Sequence, residues 1–174
     1  MKVIGLAGWS GSGKTTLLTR VIPRLTTRGL RVSTIKHAHH AFDVDQPGKD
    51  SHVHRTAGAT EVLVSSANRW ALMHELRGDG EWPLDALLEK LSLVDLVLVE
   101  GFKTHAHPKL EVYRAAVGKP ALHPQDENIV AIASDGPVEA SVPVVLLDDI
   151  EAVADILLDK AAALDTVVAR VRSA

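Results

Sequence analysis

Eight residues near the start, Gly8-Trp9-Ser10-Gly11-Ser12-Gly13-Lys14-Thr15, follow the pattern G-x-x-x-x-G-K-[ST]. They stand between an apolar run and an amphipathic one. Glycines at these positions let successive backbone N–H groups turn inward and wrap a phosphate oxygen. The segment opens onto a predicted helix, whose N-terminal partial charge favours the same anion. Lys14 is spaced to reach β- and γ-phosphates, and Thr15 to offer its hydroxyl to a bridging Mg²⁺. The pattern predicts a nucleoside triphosphate bound with magnesium. The binding set is Gly8, Ser10, Gly11, Ser12, Gly13, Lys14, Thr15 and Thr16.

The flanks supply the context that this chemistry needs. Residues 3–7 read as a strand, and 14–28 as a helix with Leu17, Leu18, Val21, Ile22 and Leu25 at helical spacing. Pro23 predicts a kink or an early end, and Gly29 suits the C-terminal cap. A second strand over 30–35 completes a βαβ unit, which implies a parallel sheet with a right-handed crossover. Further on, 51–57 reads as a short helix. Residues 61–66 and 69–75 read as a hairpin turning at Ala67-Asn68. Helices are expected over 84–91 and 149–163, and strands over 93–99, 109–114, 129–133 and 142–147. The fold class is α/β, a three-layer P-loop NTPase fold with a mostly parallel sheet and an added β-hairpin expected to extend it. The 174 residues read as a single nucleotide-binding domain, 1–174.

Composition narrows the partners. The net charge is −3 and no stretch is strongly basic, which argues against a nucleic-acid groove. There is no cysteine, hence no disulfide and no thiolate metal site. No apolar run approaches the roughly 20 residues needed to span a bilayer. Met1 to Gly5 reads as a strand start and not as a signal peptide, so the expected location is the cytoplasm.

Two more regions carry candidate chemistry. Val94-Asp95-Leu96-Val97-Leu98-Val99-Glu100-Gly101 reads as a buried strand ending in a carboxylate. Glu100 thus lies where ligands bind in open α/β sheets, placed to hold Mg²⁺ and assist catalysis; Asp95 lies at the other end and reads as structural. The polar loop over 36–50 follows the second strand, a position that faces the γ-phosphate in phosphate-loop proteins. Asp43, Asp45 and Asp50 there are candidates to ligate Mg²⁺ or orient a water, with Asp45 taken as catalytic and metal-binding. Lys36, Lys49 and Arg55 are candidates to neutralise phosphate charge. Three histidine sets, His37/His39/His40, His52/His54 and His105/His107, suit zinc, copper or nickel as well as plain exposure.

Taken together, these segments resemble the molybdopterin-guanine dinucleotide biosynthesis adapter family. The resemblance rests on the phosphate loop through Thr16, on Ile35-Lys36-His37 with His39-His40, and on Asp43-Val44-Asp45-Gln46-Pro47-Gly48-Lys49-Asp50-Ser51. It continues through Gly58-Ala59, Arg69-Trp70-Ala71-Leu72-Met73, Leu98-Val99-Glu100-Gly101-Phe102-Lys103 and Ala131-Ile132-Ala133-Ser134-Asp135. It implies a GTP-binding homodimer with weak GTPase activity, working beside the guanylyltransferase that joins GMP to molybdopterin, and it makes molybdopterin a candidate ligand. The chain lacks the N-K-x-D pattern by which many GTPases read guanine, so the guanine preference comes from the resemblance alone. Asp135, at a strand end, is a candidate to accept from the guanine N1–H and N2–H₂.

Two other classes stay open. The histidine sets suit a GTPase that inserts a metal such as nickel. A small-metabolite kinase would need an arginine-rich lid, whereas Arg55, Arg69 and Arg77 are scattered. No arginine is evident in the phosphate loop itself, in keeping with weak hydrolysis.

Overall fold

A computed structural model describes residues 1–38 and 42–173. The chain forms two compact units, one of residues 1–37 and 84–174, the other of residues 38–83. In chain order the first unit holds β1 (Lys2–Ala7), α1 (Lys14–Thr27) and β2 (Val32–Lys36). The second unit holds α2 (Asp50–Thr56), β3 (Glu61–Ser65) and β4 (Trp70–His74). The first unit resumes with α3 (Leu84–Leu88), β5 (Leu96–Glu100), β6 (Lys109–Tyr113), β7 (Ile129–Ser134) and β8 (Val144–Leu146). It closes with α4 (Ile150–Lys160), β9 (Ala162–Ala163) and α5 (Leu164–Ser173).

The main sheet runs β2-β5-β1-β6-β7-β8, all parallel, with β9 antiparallel on β1. β1 is central and apolar because it is covered on both faces, as parallel strands require. Ile4 and Leu6 face a core shared with α1 and α4, through Leu17, Val21, Leu25, Val153 and Leu157. Val3 faces the other core, with Leu84, Leu88, Val97, Val99 and Val167 of α3, β5 and α5. Helices on both sides of the sheet make the three expected layers.

Local chemistry explains the element ends. α1 runs through Pro23, whose missing N–H falls on the exposed face, so the helix does not stop there. It ends where Gly29 takes φ +83°. The Gly29 N–H then donates to Thr26 O and the Leu30 N–H to Leu25 O, which satisfies the last carbonyls.

Four expectations need correction. The β3–β4 hairpin pairs as predicted around residues 66–69, but it is a separate two-stranded sheet and does not extend the main one. α3 ends at Leu88, because Lys90 and Leu91 bond to carbonyls three residues back and tighten into a turn. β5 starts at Leu96, and Leu93 is exposed ahead of it. The closing helix stops at Lys160: Ala161 turns extended, Ala162 and Ala163 pair with Val3 and Lys2, and α5 follows.

β6 carries buried polar groups that shape the loops beside the phosphate loop. Lys109, 1% exposed, donates to Lys103 O (2.7 Å) and Asp126 Oδ2 (2.8 Å). Glu111, equally buried, accepts the Leu122 and His123 N–H groups at 2.6 and 2.9 Å. His107, just ahead of β6, is fully buried and neither ring nitrogen has a hydrogen-bond partner. Burial, followed by the charge of Lys109, lowers its pKa to about 4. Protonation therefore favours the unfolded chain, where histidine titrates near 6.5. Stability should fall as pH drops from about 6.5 toward 4, by roughly 3 kcal/mol at the limit. His107→Leu should flatten that part of a melting-temperature profile; an unchanged slope would assign it to other groups.

Candidate nucleotide site

The loop from Gly8 to Thr15 leaves the C-terminal end of β1 and enters α1. Gly8 has φ +144°, and a Cβ there would lie 2.6 Å from Val112 O and 2.7 Å from Ser12 Oγ. Only glycine lets the chain turn this close to β6 and to its own loop. Ser12 is buried and its Oγ has no hydrogen-bond partner.

Four side chains, Lys14, Thr15, Lys36 and Glu100, converge at the mouth of the loop. Lys14 Nζ folds over it and donates to Gly8 O (2.8 Å) and Trp9 O (2.9 Å). Thr15 Oγ1 donates to Glu100 Oε1 at 3.0 Å, which joins the start of α1 to the end of β5. Lys36, at the end of β2, lies 3.9 Å from the same carboxylate. Burial holds the Lys14 pKa below its ordinary value, Glu100 opposes this, and Lys103 and Lys36 add to it. Several cations thus crowd one carboxylate, a field that attracts a polyphosphate. The Thr15 hydroxyl and Glu100 carboxylate are hard oxygen donors. They fit a magnesium ion, which takes few protein ligands and completes its shell with phosphate and water.

Trp9, on the loop itself, donates its indole N–H to Pro120 O at 2.8 Å. The Lys103 and Lys119 ammonium groups lie 5.9 and 6.0 Å from its ring centroid, within cation–π range. Arg114, one residue past β6, donates from Nε to Ser12 O at 3.2 Å, and its NH1 lies 3.3 Å from Asp135 Oδ2. Asp135 follows β7, so its carboxylate meets a guanidinium. Sequence reasoning missed Arg114 and the Trp9 contacts. Nothing in their spacing to the loop marks them; the parallel order of β1, β6 and β7 brings them there. Asp95 accepts the Arg31 N–H at 2.7 Å, a structural role at the far end of β5.

Asp45 belongs to the second unit. Its Oδ1 accepts from Ser51 Oγ (2.8 Å) and the Gln46 N–H, and Arg55 Nε lies 3.7 Å from its Oδ2. Arg55 also pairs with Asp43 (2.7 Å) and Glu75 (3.2 Å), so it closes the loop onto the hairpin of its own unit. Among the described residues no three His, Asp or Glu side chains form a metal-binding group. His39 and His40 lie outside the described residues. A concavity of about 920 Å³, lined by His123, Asp126, Asn128, Glu139 and others, lies on the segments that enter β7 and β8. Those segments lead into the N-terminal ends of β7 and β8, whereas the phosphate loop leaves the C-terminal end of β1. No described helix is long and apolar enough to cross a membrane.

Residues 3–135 match the family described as molybdopterin guanine dinucleotide synthesis protein B, MobB. The chain belongs to that family. It is 42% identical over 160 residues to the molybdopterin-guanine dinucleotide biosynthesis adapter protein of Escherichia coli K12, covering 90% of this chain and 91% of that one. The protein of the same name from Haemophilus influenzae is 41% identical, with 89% and 86% covered. A crystal structure of molybdopterin-guanine biosynthesis protein B superposes with a TM-score of 0.72 at 29% identity, covering 90% of this chain and 98% of that one. The MobB match takes in the phosphate loop, Glu100, Arg114 and Asp135.

Proposed function

We propose that this MobB-family protein is a GTP-binding adapter in molybdopterin guanine dinucleotide biosynthesis, with weak GTPase activity. The observation that supports it is the Thr15–Glu100 contact beside Lys14, which gathers a hydroxyl, a carboxylate and an ammonium at the mouth of the loop. Gly8 to Thr16 hold the phosphates, Thr15 and Glu100 hold magnesium, and the ion's charge screens the γ-phosphate. In this reading Glu100 and Asp45 serve hydrolysis, and Asp135 serves the base. The whole chain acts as one nucleotide-binding domain in the cytoplasm. Its partner is the guanylyltransferase that joins GMP to molybdopterin, and molybdopterin is a candidate ligand. A pull-down from cell extract should recover that guanylyltransferase when GTP and Mg²⁺ are present. Recovery of a nickel enzyme instead would overturn the assignment.

The protein is also proposed to be a homodimer. In the hairpin Leu63 pairs with Leu72 and Ser65 with Trp70, so Leu63, Leu72 and Trp70 share one face. They are 61%, 47% and 64% exposed. A lone two-stranded ribbon with an apolar face and open edges gains by pairing with its copy across a two-fold axis. Light scattering should give a dimer at micromolar concentration, and Trp70→Glu with Leu72→Glu should give a monomer. A double variant that stays dimeric would put the interface elsewhere.

A further inference from the structure

We infer that Arg114 is a positioning residue for the anion cradle, orienting the Ser12–Gly13 peptide unit while Asp135 holds it in place. The inference rests on the nucleotide reading above. A trans peptide points its C=O and its N–H in opposite directions. Arg114 Nε donates to Ser12 O, so the Gly13 N–H of the same unit is aimed away from the guanidinium. Gly13 has φ +92°, and a Cβ built there would lie 3.4 Å from Arg114 Nε and 3.8 Å from NH2. At those distances a Cβ would make only ordinary contact with the guanidinium, so it is the positive φ that calls for glycine here. A cation on the carbonyl also polarises the peptide and strengthens its N–H as a donor.

Asp135 fixes the other end of the fork, with NH1 at 3.3 Å from Oδ2. Arg114 and Asp135 are both partly buried, at 34% and 32% side-chain exposure, so water competes for the pair only in part. Next along the sheet, Asp148 feels the Arg114 charge as well, but its own partner is Arg20 at 2.6 Å. Lys14 feels the charges of Glu100, Lys103 and Lys36. From the β6–β7 side Arg114 meets the backbone of the loop, while Lys119 meets only the Trp9 ring.

The test uses a ligand without a base. Calorimetry would follow inorganic tripolyphosphate and GTP, each with Mg²⁺, on the full chain, with circular dichroism and melting of the ligand-free variants as fold controls. Arg114→Ala should weaken both ligands about tenfold, because a charge-assisted bond that sets a donor is lost. Arg114→Lys should recover only part of this, since one ammonium cannot span Ser12 O and Asp135. Asp135→Asn should weaken tripolyphosphate as well as GTP. The inference is overturned if Arg114→Ala, folded, binds tripolyphosphate normally, or if Arg114→Lys matches the unaltered protein. It is also overturned if Asp135→Asn affects GTP alone, which would make Asp135 a base reader only. If the unaltered protein binds neither ligand, the nucleotide reading itself fails, and that result is distinct from all of these.

Discussion

Lys14→Ala is expected to weaken binding of GTP with Mg²⁺ by roughly a hundredfold in a calorimetric titration. Without ligand the ammonium satisfies itself on Gly8 O and Trp9 O. Those carbonyls sit at the rim of the loop, where the oxygens of a triphosphate would replace them as partners. Hydrogen bonds to charged groups contribute about 1.5–3 kcal/mol each, and two such contacts account for the expected loss. The ligand-free fold should not suffer. Lys14 is held in its charged state against burial and against Lys103 and Lys36, so its removal relieves that cost. A normal affinity in the variant would sink the assignment, and a lowered melting temperature would point to a structural lysine instead.

Glu100→Gln should cut GTP hydrolysis about a hundredfold and shift its magnesium midpoint upward about tenfold, the range expected when one anionic ligand is lost at a reacting phosphate. The amide oxygen still accepts from Thr15 Oγ1, so the α1–β5 link survives and the fold is kept. What is lost is the negative charge that balances Lys36 at 3.9 Å and favours a divalent cation. Thr15→Ala should shift the magnesium midpoint in the same direction. Hydrolysis at the normal rate with an unchanged magnesium dependence in Glu100→Gln would remove Glu100 from the metal site.

The site was half legible in advance, for identifiable reasons. Lys14 and Thr15 lie in one short loop whose pattern dictates their geometry, and Glu100 ends a run of buried apolar residues that can only be a central strand. Their meeting at 3.0 Å follows once β5 pairs with β1, as Leu6 opposite Glu100 shows. Arg114 was not legible, because its approach to Ser12 depends on how far β6 runs beside β1. The same limit governs the fold. β1, α1 and the hairpin follow local periodicity. Ala162 and Ala163 are strong helix formers, and only the free edge of Lys2 and Val3 makes them a strand. Tertiary pairing overrode propensity there.

The pairing of β1 also sets an order in time. β3 and β4 meet across a few residues, so that ribbon can form as soon as its own segment is free. β1 instead waits for Leu96–Glu100 and Lys109–Glu111, which lie beyond the entire second unit in the chain. Closing so long a loop before any contact rewards it makes such parallel strands slow to assemble. The phosphate loop hangs from β1 and is held by Glu100 at the end of β5 and Arg114 just past β6, so it takes shape only when that late pairing is complete. In refolding, nucleotide binding should therefore appear with the slowest phase, well after the hairpin's own signal, and GTP should stabilise only chains that have finished the journey.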